Sequence, residues 1–190
     1  MNMTPDDLNH VVTVQKPPLV LEVYQIRADQ NTIAPVLGQL EKTWAAYYST
    51  ASRYNLFAQA NLKTDSTQTW EIDLNLVDDA AIRAVNKQYR GKDEATDVLS
   101  FPLLPDVQLP DVPEVQLGSI FISLQWAKTH SPRTPQEKPG AVTAYVLERF
   151  VHGMLHLMGQ NHDTMEDYRR VRAIQTEVLQ QAGFSGGVQA

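Results

Sequence analysis

Apolar residues alternate or recur at helical spacing along most of the chain. Strict alternation over Thr69–Val77 predicts a strand that is buried on one face. Weaker patterns of the same kind predict strands over residues 19–26, 98–101 and 117–123. Helical spacing predicts helices over residues 33–49, 78–89, 124–129, 141–158 and 164–182. Since strands and helices do not alternate regularly, we expect an α/β domain of the α+β kind, with a small mixed sheet packed against helices.

The length and composition indicate one domain. A chain of 190 residues with 43% hydrophobic content can bury one sizeable core but is short for two. Residues 1–18 lack periodicity and end in two prolines, so we predict a flexible arm there, a domain over 19–184 and a flexible tail over 185–190. The proline-rich stretch 102–114 and residues 130–140 are predicted to be surface loops.

Three histidines near the end of the second-to-last helix carry the candidate chemistry. The segment reads His152-Gly-Met-Leu-His156-Leu-Met-Gly159-Gln-Asn-His162. Residues four apart lie on one helix face, so His152 and His156 can direct their imidazoles at one ion. Gly159 can adopt the left-handed conformation that ends a helix, which allows His162 to turn back as a third ligand. The spacing therefore predicts a metal site at the end of a central helix.

The expected metal is one zinc ion per chain. The sequence has no cysteine, so a transition-metal site must use histidine and carboxylate ligands. Three histidines leave one zinc position for water, whose pKa the ion lowers to about 7. We therefore predict a catalytic rather than a structural site.

The same spacing occurs in metzincin metalloproteases, but one residue differs. Those enzymes carry a glutamate directly after the first histidine as the general base. Gly153 occupies that position here. A substrate that needs charge stabilisation more than a fixed carboxylate base, such as a phosphodiester, fits this segment better.

Two motifs resemble the YbeY family of single-strand-specific endoribonucleases, which are bacterial ribosomal RNA maturation factors. One is the segment with the three histidines. The other is Asn86-Lys-Gln-Tyr-Arg90-Gly-Lys-Asp-Glu-Ala-Thr96-Asp97-Val-Leu-Ser-Phe101, and Leu117-Gly-Ser-Ile120 is a weaker third match. The resemblance covers roughly residues 69–184.

The resemblance implies both the site residues and the function. It makes His152, His156 and His162 the zinc ligands and Arg90 the residue that binds the scissile phosphate, a role that suits the planar paired donors of a guanidinium. The implied function is cleavage of single-stranded RNA in small-subunit ribosomal RNA 3′ end maturation and ribosome quality control. The implied partners are ribosomal RNA, the small subunit and assembly proteins. The sequence leaves open whether water or the RNA 2′-hydroxyl attacks.

Two positions depart from the family pattern. Asn161 stands where the family usually has aspartate before the last histidine, and this change alters the expected support of a ligand. Ser119 stands where the family usually has aspartate, which removes a carboxylate from a strand that we expect beside the site.

Two alternatives remain at this point: an atypical zinc metallopeptidase, and a non-catalytic ribosome-assembly factor with a structural zinc. The net charge of -6 argues against binding nucleic acid by overall positive potential, so RNA must meet a local basic patch or a partner protein. We expect no DNA substrate. The chain has no apolar run long enough to cross a bilayer and no sign of an export signal, so we expect a cytoplasmic protein without membrane contact.

Overall fold

The computed structural model describes residues 9–16, 18–25, 30–64, 68–103, 112–131 and 140–184. Five strands form one sheet: β1 Asn9–Lys16, β2 Leu19–Gln25, β3 Thr69–Val77, β4 Val98–Pro102 and β5 Glu114–Ser123. Six helices accompany them: α1 Gln30–Arg53, α2 Leu56–Gln59, α3 Asp79–Arg90, α4 Leu124–His130, α5 Ala141–Leu157 and α6 Met165–Gln181.

The sheet is mixed, as predicted. Its strand order is β1-β2-β3-β5-β4. The three central strands β2, β3 and β5 run parallel, while β1 and β4 pair antiparallel at the two edges. The parallel centre is made by crossovers through α1 and α3, which is the usual way for helices to cover a sheet.

The main core lies between one sheet face and helices α1, α5 and α6. The alternating residues of β3 supply Trp70, Ile72 and Leu74 to this face, and each is fully buried. The ring of Phe57, in the short helix α2, packs 4.7 Å from that of Trp70. Two aromatic residues of α1, Trp44 and Tyr47, are also buried in this core.

On the opposite face of the sheet, helix α3 packs against one end. Ile82 and Val85 of this helix form a second, smaller cluster with Val77 and Leu99. Asp78 caps the helix by accepting a hydrogen bond from the backbone N–H of Ala81, as its position in the sequence predicts. The helix ends at Arg90, before Gly91 in the left-handed conformation.

The sequence-based prediction fails in two places. Residues 9–16 were expected to belong to a flexible arm, but they form β1 and pair with β2 through residues 19–25. An edge strand buries few side chains, so it lacks the strong alternation of β3. The four-residue helix α2 was also missed, because one turn carries too few residues to show a period. Residues 1–8 and 185–190, and most of the two predicted loops, lie outside the described residues.

A bulge in β5 depends on Gly118. The pairing of β5 with β3 shifts by one residue at Leu117, between the pairs Glu71–Gln116 and Ile72–Gly118. Gly118 has a φ of +139°, and a Cβ there would lie 2.2 Å from the carbonyl oxygen of Phe101 in β4. Only glycine fits this position without moving a backbone segment.

Gly118→Ala should lower the free energy of unfolding by at least ~2 kcal/mol, because it combines backbone strain with a clash against a neighbouring strand. Gly38→Ala is the matched control, since Gly38 lies in α1 and a Cβ there meets nothing within 4 Å. The control should gain about 0.5–1 kcal/mol of helix stability. Urea denaturation of both variants tests the difference. Equal midpoints for the two would contradict the bulge geometry.

Candidate metal centre

The three histidines come from the last turns of α5 and the turn that follows it. Most of α5 is buried, and His152 and His156 lie on its less buried flank. Gly159, with a φ of +72°, ends the helix: its N–H donates to His156 O, and the N–H of Gln160 donates to Leu155 O. This pair of bonds is the Schellman arrangement, and it confirms the predicted left-handed turn.

The turn brings His162 back to the other two imidazoles. One nitrogen from each of the three rings lies within 4.8 Å of the others. The Nε2 atoms of His152 and His156 are 3.0 Å apart. Two nitrogens bound to one zinc at ~2.05 Å and a tetrahedral angle would be ~3.3 Å apart, so the spacing fits a shared ion. These three side chains could therefore hold a metal ion.

The other ring nitrogens of the two helical histidines already have partners. His152 Nδ1 lies 3.2 Å from Gln175 Oε1 in α6, and His156 Nδ1 lies 3.4 Å from Asn161 Oδ1. Such contacts leave Nε2 of each ring for a metal, which is the usual arrangement around ligating histidines. The amide oxygen of Asn161 thus contacts the ring of His156. We expected an aspartate at this position, as in the family pattern, to support a metal ligand.

Burial keeps the two helical imidazoles neutral. It lowers the pKa of His152 to about 4, with the nearby His156 adding to the effect. Burial also lowers the pKa of His156, and the charges of His162 and Arg90 act in the same direction. A neutral imidazole is the form that binds metal, so these rings are ready to bind at neutral pH without losing a proton.

Arg90 lies at the exposed end of α3, within electrostatic range of the triad. Its charge contributes to the lowered pKa of His156. Within the described part of the chain, Arg90 forms no ion pair, whereas Arg83 and Lys87 of the same helix both bind Asp93. An exposed guanidinium without an ion pair among the described residues is available to an anion.

Gly153 faces the sheet instead of the cluster of imidazoles. A Cβ at this position would lie 2.9 Å from two side-chain atoms of Ile120 and 3.0 Å from Ser100 Oγ. A glutamate in place of Gly153 would therefore point into the core. This packing disfavours the metallopeptidase alternative, because no general base can be supplied from here.

The comparisons with known proteins agree with these features. A family model described as "Endoribonuclease YbeY" matches residues 40–183. The chain belongs to the YbeY family. Helix α5 and the three histidines fall inside the matched segment, and so do α3 and Arg90.

Curated relatives with the name "Endoribonuclease YbeY" give a consistent result. The protein from Anaeromyxobacter sp. is 39% identical over 138 residues, which cover 73% of this chain and 68% of that one. The protein from Nautilia profundicola is 40% identical over 119 residues, covering 63% and 74%. The Rhizobium etli protein is 36% identical over 115 residues, and the match spans 64% of its length, less than two thirds.

Among solved structures, the solution structure of TM1509 from Thermotoga maritima is similar to this chain. It is 19% identical, with a TM-score of 0.48, and the match covers 90% of this chain and 99% of that one. Within the described residues of this YbeY family member, every helix is too short or too polar to span a bilayer.

Ser119, which departs from the family pattern, lies in the strand that packs against α5, as expected. Ile120 packs under α5, so the preceding side chain points to the opposite sheet face. There, Ser119 Oγ donates to Asp73 Oδ2 of β3 at 3.3 Å. A carboxylate in place of Ser119 would therefore point away from α5.

Four polar residues beside the histidines were missed by the sequence analysis. Gln175 and Glu148 are buried next to His152, and Arg149 lies between Glu148 and Asp97. A signal was present in the sequence, because Glu148 lies four residues before His152 in an apolar helix. Gln175 likewise occupies a core position of α6, between Val171 and Val178.

Acid should destabilise the metal-free protein through His152. The pKa of His152 is about 4 in the fold and 6.5 ordinarily, so between these values the unfolded chain binds more protons. The free energy of unfolding should therefore fall as the pH drops from about 6.5 to about 4, by up to ~3 kcal/mol. Urea melts with a chelator, on the wild type and on His152→Gln, isolate this contribution. Identical pH profiles for the two proteins would count against it.

Gly153→Ala should lower the free energy of unfolding by ~1–3 kcal/mol, because its methyl group overlaps the side chain of Ile120. Ile120→Val removes the Cδ1 atom that lies 2.9 Å from the added methyl. In a double-mutant cycle, Ile120→Val should therefore cost less stability in the Gly153→Ala background than in the wild type. Additive effects would show that the helix and strand are not in such close contact.

Proposed function

We propose that this chain is a zinc-dependent endoribonuclease that cleaves single-stranded RNA, acting in the cytoplasm on ribosomal RNA at the small-subunit 3′ end and in ribosome quality control. The observation that carries the proposal is the convergence of three imidazoles in a member of the YbeY family. Arg90, which forms no ion pair within the described part of the chain, contributes its charge to the lowered pKa of His156. The relatives' name, "Endoribonuclease YbeY", supports the substrate class.

His152, His156 and His162 would hold the ion. Zinc is favoured because the cluster formed by the described residues offers three nitrogen ligands, whereas calcium and magnesium require several oxygen ligands. Bound there, zinc supplies Lewis-acid chemistry: it polarises a phosphoryl oxygen or acidifies a water molecule. The burial of α5 fixes the direction of two ligands before any ion binds.

Arg90 would hold the scissile phosphate and stabilise the negative charge that develops on it. A guanidinium keeps its charge at every relevant pH and offers paired donors to two phosphate oxygens. Its exposure allows it to reach a substrate, and its effect on His156 supports a place beside the ligands. Loss of one such donor typically lowers the rate by about 10²–10³-fold.

The substrate would meet a small basic site on an acidic protein. The net charge is -6, so affinity for RNA is expected to depend on local contacts and on a ribosomal partner such as the small subunit or an assembly protein. Single strands suit such a site, because their backbone is more flexible and their bases more accessible than those of a stiff duplex.

Cleavage of a labelled single-stranded RNA at low salt tests the proposal. The wild type with one zinc per chain should cleave, His156→Ala should be inactive, and Arg90→Ala should be slower by about 10²–10³-fold. Arg83→Ala is the matched control, since Arg83 is an exposed arginine of the same helix that pairs with Asp93. It should cleave like the wild type.

Activity that survives in both site variants would point to a contaminating nuclease and would overturn the proposal. Equal losses in Arg90→Ala and Arg83→Ala would remove the specific role of Arg90. Circular dichroism on each variant checks that it is folded.

A further inference from the structure

A chain of buried hydrogen bonds runs from His152 through α6 and back to α5. His152 Nδ1 lies 3.2 Å from Gln175 Oε1, and Gln175 Nε2 donates to Glu148 Oε1 at 2.8 Å. Gln175 is 8% exposed and Glu148 is 7% exposed. Buried polar groups are usually hydrogen-bonded, and such hydrogen bonds hold the side chains in one geometry.

The donor and acceptor groups of His152, Gln175 and Glu148 allow only one direction of hydrogen-bond donation along this series. An ionised carboxylate only accepts hydrogen bonds, so the amide of Gln175 must turn its NH2 group to Glu148. Its carbonyl oxygen then faces His152, and a carbonyl also only accepts. The ring must therefore carry its proton on Nδ1 and leave the lone pair on Nε2, the atom that lies 3.0 Å from His156 Nε2.

A cluster of ion pairs surrounds Glu148, the residue at the far end of this series of hydrogen bonds. Arg149 Nη1 lies 3.6 Å from Glu148 Oε1, and Arg149 Nε lies 2.7 Å from Asp97 Oδ2. The guanidinium carbon also lies 4.6 Å from the centre of the Tyr145 ring. The arginine charge favours the ionised form of Glu148, against the burial that raises its pKa.

We infer that Gln175 and Glu148 are positioning residues for His152: together they orient the ring and fix the tautomer that presents a bare Nε2 to the metal. This inference rests on the proposed metal site. The contact of His156 is longer and less buried than that of His152, because its partner Asn161 is exposed and lies 3.4 Å away. Of the two helical ligands, His152 is thus the one whose direction is set more firmly before the ion binds.

Zinc affinity is the property to measure, by competition with a chromogenic chelator in the absence of RNA. Gln175→Leu keeps much of the volume but removes both hydrogen bonds. It should weaken zinc binding by about 10–100-fold, as the loss of a ligand's outer partner does in other sites. Asn161→Ala is the matched comparison, and it should weaken zinc binding less. Thermal melts without metal show whether each variant is folded.

An exchange of the two side chains provides the sharper test. Gln175→Glu alone brings two carboxylates together in a buried place and should also weaken zinc binding. Adding Glu148→Gln restores one amide and one carboxylate, so the double exchange should recover most of the lost affinity. A role in packing alone predicts no such recovery, because the volumes barely change.

The tautomer offers a second readout without metal. In the metal-free wild type, 15N chemical shifts should show His152 protonated on Nδ1, and Gln175→Leu should mix the two tautomers. Wild-type zinc affinity in folded Gln175→Leu would overturn the inference while leaving the ribonuclease proposal intact. Conversely, the expected affinity pattern in a protein that does not cleave RNA would keep the inference and reject the proposed substrate. A wild type that binds no zinc would reject both.

Discussion

The close contact between α5 and β5 is the constraint on which the site depends. At Gly153 the helix has no side chain, and its backbone approaches Ile120 and Ser100 more closely than any other residue would permit. The depth of the helix in the core follows from this contact. It determines how far His152 and His156 stand above the sheet, and it brings α5 and α6 close enough for Gln175 to reach His152. In the sequence, Gly153 stands where a related motif carries a catalytic base. In the structure, it allows α5 to pack closely against the sheet.

Local patterns predicted most of the fold, and the failures have physical causes. Strand β3 was predicted with its observed bounds because apolar and polar residues alternate along it, and over Thr69–Leu74 this alternation matches alternate burial. Strand β1 was missed because it lies at the edge of the sheet and buries few side chains, so it lacks the strong alternation of β3. The side of the sheet to which Ser119 points depends on which strand residue lies under α5, and this information is tertiary.

In the site, too, some features follow from local sequence patterns and others depend on the tertiary fold. The meeting of the three histidines follows from helix geometry and one glycine turn, so spacing alone predicted it. The approach of Arg90 to His156 could be expected only from the family resemblance, since it depends on how α3 and α5 lie on a shared sheet. Gln175 joins the site from α6, and no local pattern links it to His152 across 23 residues. Contacts of this kind need the fold before they can be seen.

The electrostatics of the centre explain how an acidic chain can attract an anion. Imidazoles that bind a metal carry no charge, so three of them would leave the charge of a divalent ion uncompensated, and Arg90 would add one more positive charge. The groups that touch the helical histidines are amides of Gln175 and Asn161, and the buried charge of Glu148 is balanced by Arg149. A divalent ion held by the three histidines, together with Arg90, would concentrate positive potential at this centre on a chain whose net charge is -6.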